Sequence, residues 1–268
     1  DACESAARLA GYDSLQACIE DSKEGRAEKM KMAAASNRIF VMCIDEINRA
    51  NISSVFGDLI TLVEENKRLG GPEELSVILP YSKAKFGVPS NLQIVGTMNT
   101  ADRSTTLLDS ALRRRFYFEE VLPQADVLSQ INFDGINMSQ LLTIMNKRII
   151  YLLGKDQTIG HSYFIGLKNS INPKKELLSI FLVNIIPLLE EYFYNDIPKI
   201  RLILGEGTNS EELCFYKTDD ATNQLFDSVE DDFDNDVISF TKNIDLVKLA
   251  ESSSEGNISS DIFTKIYE

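Results

Sequence analysis

Polar groups able to do phosphate chemistry stand where two apolar runs stop. Ile39-Phe40-Val41-Met42-Cys43-Ile44 ends at Asp45-Glu46, and Leu92-Gln93-Ile94-Val95-Gly96-Thr97-Met98 ends at Asn99. An apolar run closed by Asp-Glu has the form of a Walker B element. In such an element the first carboxylate holds Mg²⁺ through water, because Mg²⁺ prefers oxygen ligands and dehydrates reluctantly. The second polarises the water that attacks a γ-phosphate, and Asn99 is placed to orient that water. A strand that ends in acids serves equally well as a capping turn, so the pair alone leaves both readings open. The Arg113-Arg114-Arg115 run read by itself is the solvated basic end of a helix, where the dipole favours positive charge.

Both runs are continuous enough to be strands of a parallel sheet, buried on both faces. In an open α/β sheet ligands bind beyond the carboxyl ends of the strands, so Asp45, Glu46 and Asn99 converge on one crevice. The elements around them follow from periodicity. Leu15, Cys18 and Ile19 mark a helix inside Tyr12 to Glu24, and the apolar stripe from Ile52 to Val63 marks a second, with Asn51 as its N-cap. Leu75 to Pro89 reads as a strand followed by a hairpin or loop, Thr105 to Arg113 as a short helix and Phe116-Tyr117-Phe118 as a third strand. Beyond Pro123 the pattern is helical, over 124–131, 138–153 and 174–194, and a domain boundary is expected near 123. Tyr192, Phe193 and Tyr194 follow apolar residues at helical spacing and read as core, not as a platform for a base. The acidic stretch 219–236 contains no base and reads as a solvated loop.

Composition narrows the partners. The 268 residues carry 27 Lys+Arg against 41 Asp+Glu, a formal charge of −14, so the surface as a whole repels polyanions and is no nucleic-acid clamp. Cys3, Cys18, Cys43 and Cys214 show no CxxC spacing, and with the single histidine His161 they make neither a zinc site nor a disulfide framework. With no signal-peptide pattern and no run of 18 apolar residues, a cytoplasmic location away from membranes is expected.

Longer motifs sharpen the reading. Ile44-Asp45-Glu46-Ile47-Asn48-Arg49-Ala50-Asn51, Val55-Phe56-Gly57, Met98-Asn99-Thr100-Ala101-Asp102-Arg103-Ser104 and Ala111-Leu112-Arg113-Arg114-Arg115-Phe116 resemble the McrB family of AAA+ GTPases, the motor subunits of modification-dependent restriction systems. Ile159-Gly160-His161-Ser162-Tyr163-Phe164 and Leu188-Leu189-Glu190-Glu191-Tyr192-Phe193 look like that family's lid. The resemblance covers roughly 38 to 205. It implies an α/β fold: part of an AAA+ P-loop NTPase core over 1–123, a helical lid over 124–205 and an acidic segment over 206–268 of no assigned structure.

The same resemblance assigns roles. Asp45 becomes the Mg²⁺-organising aspartate and Glu46 the catalytic glutamate, while Asn99 matches sensor 1 and forms an Asn-Thr-x-Asp element with Thr100 and Asp102. Arg113 is the favoured arginine finger toward a neighbouring subunit's nucleotide, and Arg114 a bridge within its own subunit. His161 stands in the neighbourhood where other AAA+ lids place a sensor 2 arginine, or is a structural histidine at a helix start. The implied cofactors are Mg²⁺ and GTP, ahead of ATP. The implied partners are further copies in a hexameric ring, a McrC-like endonuclease, and DNA held through an N-terminal domain.

One departure matters. No G-x-x-x-x-G-K-[ST] segment occurs in these residues, the sole Gly-Lys, Gly154-Lys155, being followed by Asp156. Such a loop cradles phosphates with its backbone N–H groups, and the simplest expectation is a chain that starts after it and is inactive alone. Two alternatives stand beside the restriction motor: a non-catalytic AAA+ assembly subunit, and a MoxR-like ATPase that remodels protein partners.

Overall fold

In a computed structural model of the chain, residues 2–101, 110–207, 213–219, 239–252 and 258–268 are described. The two apolar runs pair. β1 (Phe40–Ile44) lies parallel to β4 (Leu92–Gly96), with Phe40 opposite Leu92 and Ile44 opposite Gly96. Between them come a helix, α4 (Ile52–Phe56), and the antiparallel hairpin of β2 (Val77–Ile78) and β3 (Lys85–Phe86). Before them run α1 (Ala2–Leu9), α2 (Leu15–Glu20) and α3 (Lys23–Ala35). The chain divides into two compact units, Asp1–Glu119 and Glu120–Glu268.

In the first unit the even-numbered residues of β1 and β4 look inward. Phe40, Met42 and Ile94 pack with Ala6 of α1, Leu62 and Leu92. Their odd-numbered neighbours do not: Val41 is 49% exposed and Val95 47%. Burial on both faces, expected from the continuous apolar runs, is thus not met among the described residues, where β1 and β4 have only each other. Two buried polar side chains fix the start of these strands. Asn91 Nδ2 donates to the carbonyls of Ala6 (2.8 Å) and Arg38 (3.0 Å), and the buried Arg68 guanidinium donates to the carbonyls of Val63 and Leu92. Burial lowers the pKa of Arg68, and those carbonyls compensate its lost water.

Two expected elements change for local reasons. The helix expected over 52–63 is α-helical only to Phe56, because Gly57 turns to φ +49 and the chain continues to Val63 as a tighter 3-10 turn. The strand expected at 116–118 does not form. The N–H groups of Arg115 and Phe116 instead close α5 (Ser110–Arg113) by donating to Leu112 O, and Tyr117 is exposed.

The second unit is a helical core. A hairpin of β5 (Asn132–Phe133) and β6 (Ile136–Asn137) leads into α6 (Met138–Leu152), which buries Met138, Leu141, Leu142, Met145 and Ile149 at helical spacing and is capped by Asn137. After the short α7 (Ser162–Ile165), the helix expected over 174–194 appears as α8 (Pro173–Ile180) and α9 (Ile186–Tyr192), joined by a π turn at Phe181–Ile185. Pro187 accounts for the break. It has no N–H for the carbonyl four residues back, and Ile186 N–H reaches instead to Phe181 O. Phe193 is buried while Tyr194 faces outward at φ +51.

Residues beyond 205, given no structure by sequence, enter the same core. α10 (Ile197–Ile203) is followed by the ribbon of β7 (Tyr216–Asp219) and β8 (Ser239–Lys242) and by helices at Ile244–Glu251 and Asp261–Thr264. Phe181 stacks on Phe215 (5.3 Å) and meets Phe263 (5.4 Å). Glu190 of α9 accepts from Tyr216 Oη–H (2.8 Å) and from Lys242 Nζ (2.9 Å). All of the acidic stretch but Asp219 lies outside the described residues. No described helix is long and apolar enough to cross a membrane.

The helical start of the first unit is held by one nearly buried ion pair. Arg26 of α3 bonds Glu74 (2.6 Å), their side chains 11% and 9% exposed, and also donates to the carbonyls of Cys18, Ile19 and Asp21, while Glu74 accepts Gly70 N–H (2.8 Å). Burial alone would raise the Glu74 carboxyl, yet Arg26 and Gly70 outweigh it and hold the pKa below its ordinary value. The stabilisation is therefore complete above the ordinary carboxyl range and fades as pH falls through it. Glu74→Gln should cost this unit about 2 kcal/mol at neutral pH, measured by urea unfolding, and the difference from wild type should shrink below about pH 4.

Candidate functional site

The register of β1 against β4 builds the site. With Ile44 opposite Gly96, the next residues along, Asp45 and Thr97, face each other at the carboxyl end of the sheet. Thr97 N–H donates to Ile44 O (3.0 Å) and Ile47 N–H donates to Thr97 O (2.9 Å), so the ladder continues on both sides of the two acids. The Thr97 hydroxyl donates to Asp45 Oδ1 and accepts Glu46 N–H (3.1 Å). Between these bonds Glu46 takes a left-handed conformation, φ +49 and ψ +49, which non-glycine residues adopt rarely and at some cost.

Packing beneath the turn explains its position. Ile47 is buried and lies against Gly96, where an added Cβ would come within 3.0 Å of Ile47 Cδ1. The same Ile47 packs with the buried Leu112 of α5, joined by Ile44, Phe56, Ile60 and Phe116. One apolar contact thus ties the acidic turn to the helix that carries the arginines. Asn48, also buried, donates from Nδ2 to Asn99 O (3.3 Å), and Asn99 Oδ1 accepts Ala101 N–H (3.0 Å) in a local turn.

Asp45 and Asn99 are exposed, Glu46 partly so, and the Glu46 carboxylate pairs with Arg49 three residues on. With the Arg49 and Glu46 side chains 61% and 41% exposed, that pair is weak and easily exchanged. Thr100 is exposed beside Asn99, whereas Asp102 lies outside the described residues. Arg113 and Arg114 are both exposed, and the Arg113 guanidinium sits over the Phe118 ring at 5.7 Å. Among the described residues, the triplet's ion pair within its unit is made by Arg115, whose Nε lies 2.8 Å from Glu64. His161, in the second unit, precedes α7, and its Nδ1 accepts Gln124 N–H (3.0 Å).

Among the described residues no three His, Cys, Asp or Glu side chains gather to hold a metal ion directly. Asp45 fits a hydrated Mg²⁺ better than a bare one, since Thr97 engages one carboxylate oxygen and the exposed remainder can bond water. The sequence pointed to Asp45, Glu46 and Asn99. It gave no sign of the contacts made by Thr97, Asn48, Arg115 and Glu64, since these depend on strand register and on a fold across the chain.

Residues 12–116 match the AAA domain family of the dynein-related subfamily, and residues 137–201 match the alpha-helical lid domain of McrB. The type IV methyl-directed restriction enzyme EcoKMcrB subunit of Escherichia coli K12 is 42% identical over 174 residues, 59% of this chain and 37% of that protein. The type II restriction enzyme BsuMI component YdiS of Bacillus subtilis 168 is 38% identical over 89 residues, 30% of this chain and 26% of that one. The chain thus spans little more than a third of the first relative and about a quarter of the second.

The arginines separate by substitution. Arg115→Ala, which strips Glu64 of a partly buried partner, should lower stability by about 1 kcal/mol. Arg114→Ala should stay within about 0.5 kcal/mol of wild type. Urea midpoints of the two variants check the difference.

Proposed function

The chain belongs to the McrB-type AAA+ proteins, an AAA domain followed by that family's helical lid, and from this premise we propose that it is the hydrolytic and assembly part of a nucleotide-driven restriction motor. Its nucleotide is GTP, with Mg²⁺ as the metal. The observation that carries the reading is the pair of adjacent acids at the carboxyl end of β1, where one hydroxyl next to the parallel strand bonds both the Asp45 carboxylate and the Glu46 backbone N–H. Mg²⁺ supplies neutralisation of phosphate charge when bound.

The residues then divide the work. Asp45 holds the hydration shell of the metal. Glu46, once released from Arg49, polarises the attacking water, and Asn99 with Thr100 and Asp102 orients it. Arg113 reaches the nucleotide of the next subunit in a hexameric ring, where a guanidinium neutralises charge developing on the transferred phosphoryl group. Residues 1–123 form part of the nucleotide-hydrolysing core and 124–205 the lid. For His161 the hydrogen bond from Gln124 favours a structural post at the helix start over contact with nucleotide. The ring drives a McrC-like endonuclease on modified DNA in the cytoplasm. Both curated relatives are restriction components, which supports this reading over remodelling of protein partners.

No phosphate-binding G-x-x-x-x-G-K-[ST] loop occurs within these 268 residues. In a form extended upstream to include one, Glu46→Gln should still bind a fluorescent GTP analogue with Mg²⁺ while turnover falls by at least about 100-fold. Unchanged turnover would overturn the assignment. An upstream sequence with no G-x-x-x-x-G-K-[ST] would instead make this a non-catalytic subunit that lends surfaces and an arginine to others.

A further inference from the structure

Thr97 is absent from the roles assigned above, yet among the described residues it is bonded to the acidic turn through its N–H, carbonyl and hydroxyl alike. These partners lie between Ile44 and Ile47. The backbone bonds simply extend the parallel ladder, as any residue could do. The hydroxyl does more, because it donates to Asp45 and accepts from Glu46 at once. Only serine and threonine offer a donor and an acceptor on a single side-chain atom at this distance from the backbone.

We infer that Thr97 is a positioning residue for hydrolysis, its hydroxyl setting the direction of the Asp45 carboxylate and the backbone of Glu46 together. The inference rests on the hydrolytic reading of Asp45 and Glu46. By bonding Oδ1, Thr97 limits rotation of the Asp45 carboxylate, so that Oδ2 would be the oxygen left to bond the water shell of a metal when one is bound. By accepting Glu46 N–H it helps hold the left-handed turn, and that turn decides where the Glu46 carboxylate starts its reach. The β-branched side chain adds stiffness at χ1, so the hydroxyl keeps one direction. Outer partners that orient a metal-binding carboxylate change metal affinity or activity by about 10- to 100-fold when removed.

The test uses Thr97→Val, which keeps the shape and removes both side-chain bonds, and Thr97→Ser, which keeps both bonds and removes the methyl. In the form carrying the phosphate-binding loop, the readouts are kcat, nucleotide KM, the Mg²⁺ concentration giving half the maximal rate, and the thermal midpoint. Thr97→Val should lower kcat by about 10- to 100-fold and raise the Mg²⁺ requirement, with KM nearly unchanged, and Thr97→Ser should restore both. A valine variant with wild-type kcat and Mg²⁺ dependence, whatever its thermal midpoint, overturns the inference. Should valine not fold, serine decides: a folded Thr97→Ser with low kcat would mean that the methyl matters and not the hydroxyl, which also overturns it. Glu46→Gln run in parallel separates the levels. If it leaves turnover intact, the hydrolytic reading itself falls; if it abolishes turnover while valine is harmless, only the role of Thr97 falls.

Discussion

The register between β1 and β4 is the constraint on which the first unit depends. Setting Ile44 against Gly96 brings Asp45 to Thr97, lets Ile47 fold back over the glycine, and places Leu112 on that isoleucine with the arginines just beyond. A slip of one residue would turn every side chain of a strand to the opposite face. It would send Phe40 and Met42 away from Ala6 and Leu62, and it would also separate Asp45 from the hydroxyl. Packing and site geometry thus require the same register. Asn91 and Arg68, each buried and each bonded to backbone carbonyls around the strand starts, secure it from the other end.

Much of this was legible in the sequence for a physical reason. Strands of a parallel sheet lack one polar face, so β1 and β4 stand out as apolar runs, and the groups that end them mark the carboxyl edge. α6 was equally clear, since its buried residues recur at helical spacing between an Asn cap and a glycine. The failures have causes of their own. Alternate burial of Val41 and Val95 depends on what covers the sheet, which a run of apolar letters does not state. Gly57 and Pro187 each cut a periodic stripe without altering its spacing. Thr97 escaped notice because a threonine in a strand is ordinary until its neighbour across the ladder is known.

The second unit shows what an acidic composition leaves unstated beyond residue 205. Residues 206–268 were assigned no structure, yet Phe215, Tyr216, Leu246, Ile262 and Phe263 are buried with the helices of the lid. Glu206 is wholly buried among them, and burial raises its pKa, opposed by Lys265 and Arg201 at 3.6 Å and by the N–H of Phe215. Such a group costs stability unless all its partners stay in place. It therefore ties α10, the start of the ribbon and the last helix into one cooperative arrangement. Glu190 does the same from α9 through Tyr216 and Lys242. The charges that matter for this fold are few and internal, and they are lost in a count dominated by surface acids.

Glu46 sits at the meeting of these themes. Its backbone is held in a conformation that few side chains favour, and among the described residues its carboxylate pairs with an exposed arginine. Strain in the backbone is fixed by Thr97 and by the buried Ile47 that follows, so the turn keeps its shape whatever the carboxylate does. The Arg49 pair, by contrast, is open to solvent and contributes little that water or a competing charge could not replace. On the proposed hydrolytic role, a rigid turn bearing a loosely held carboxylate would let Glu46 stay close to a reacting water yet change its partner when phosphate charge arrives. The rigidity comes from the sheet register and the freedom from exposure, and both are consequences of ending a parallel strand in two acids.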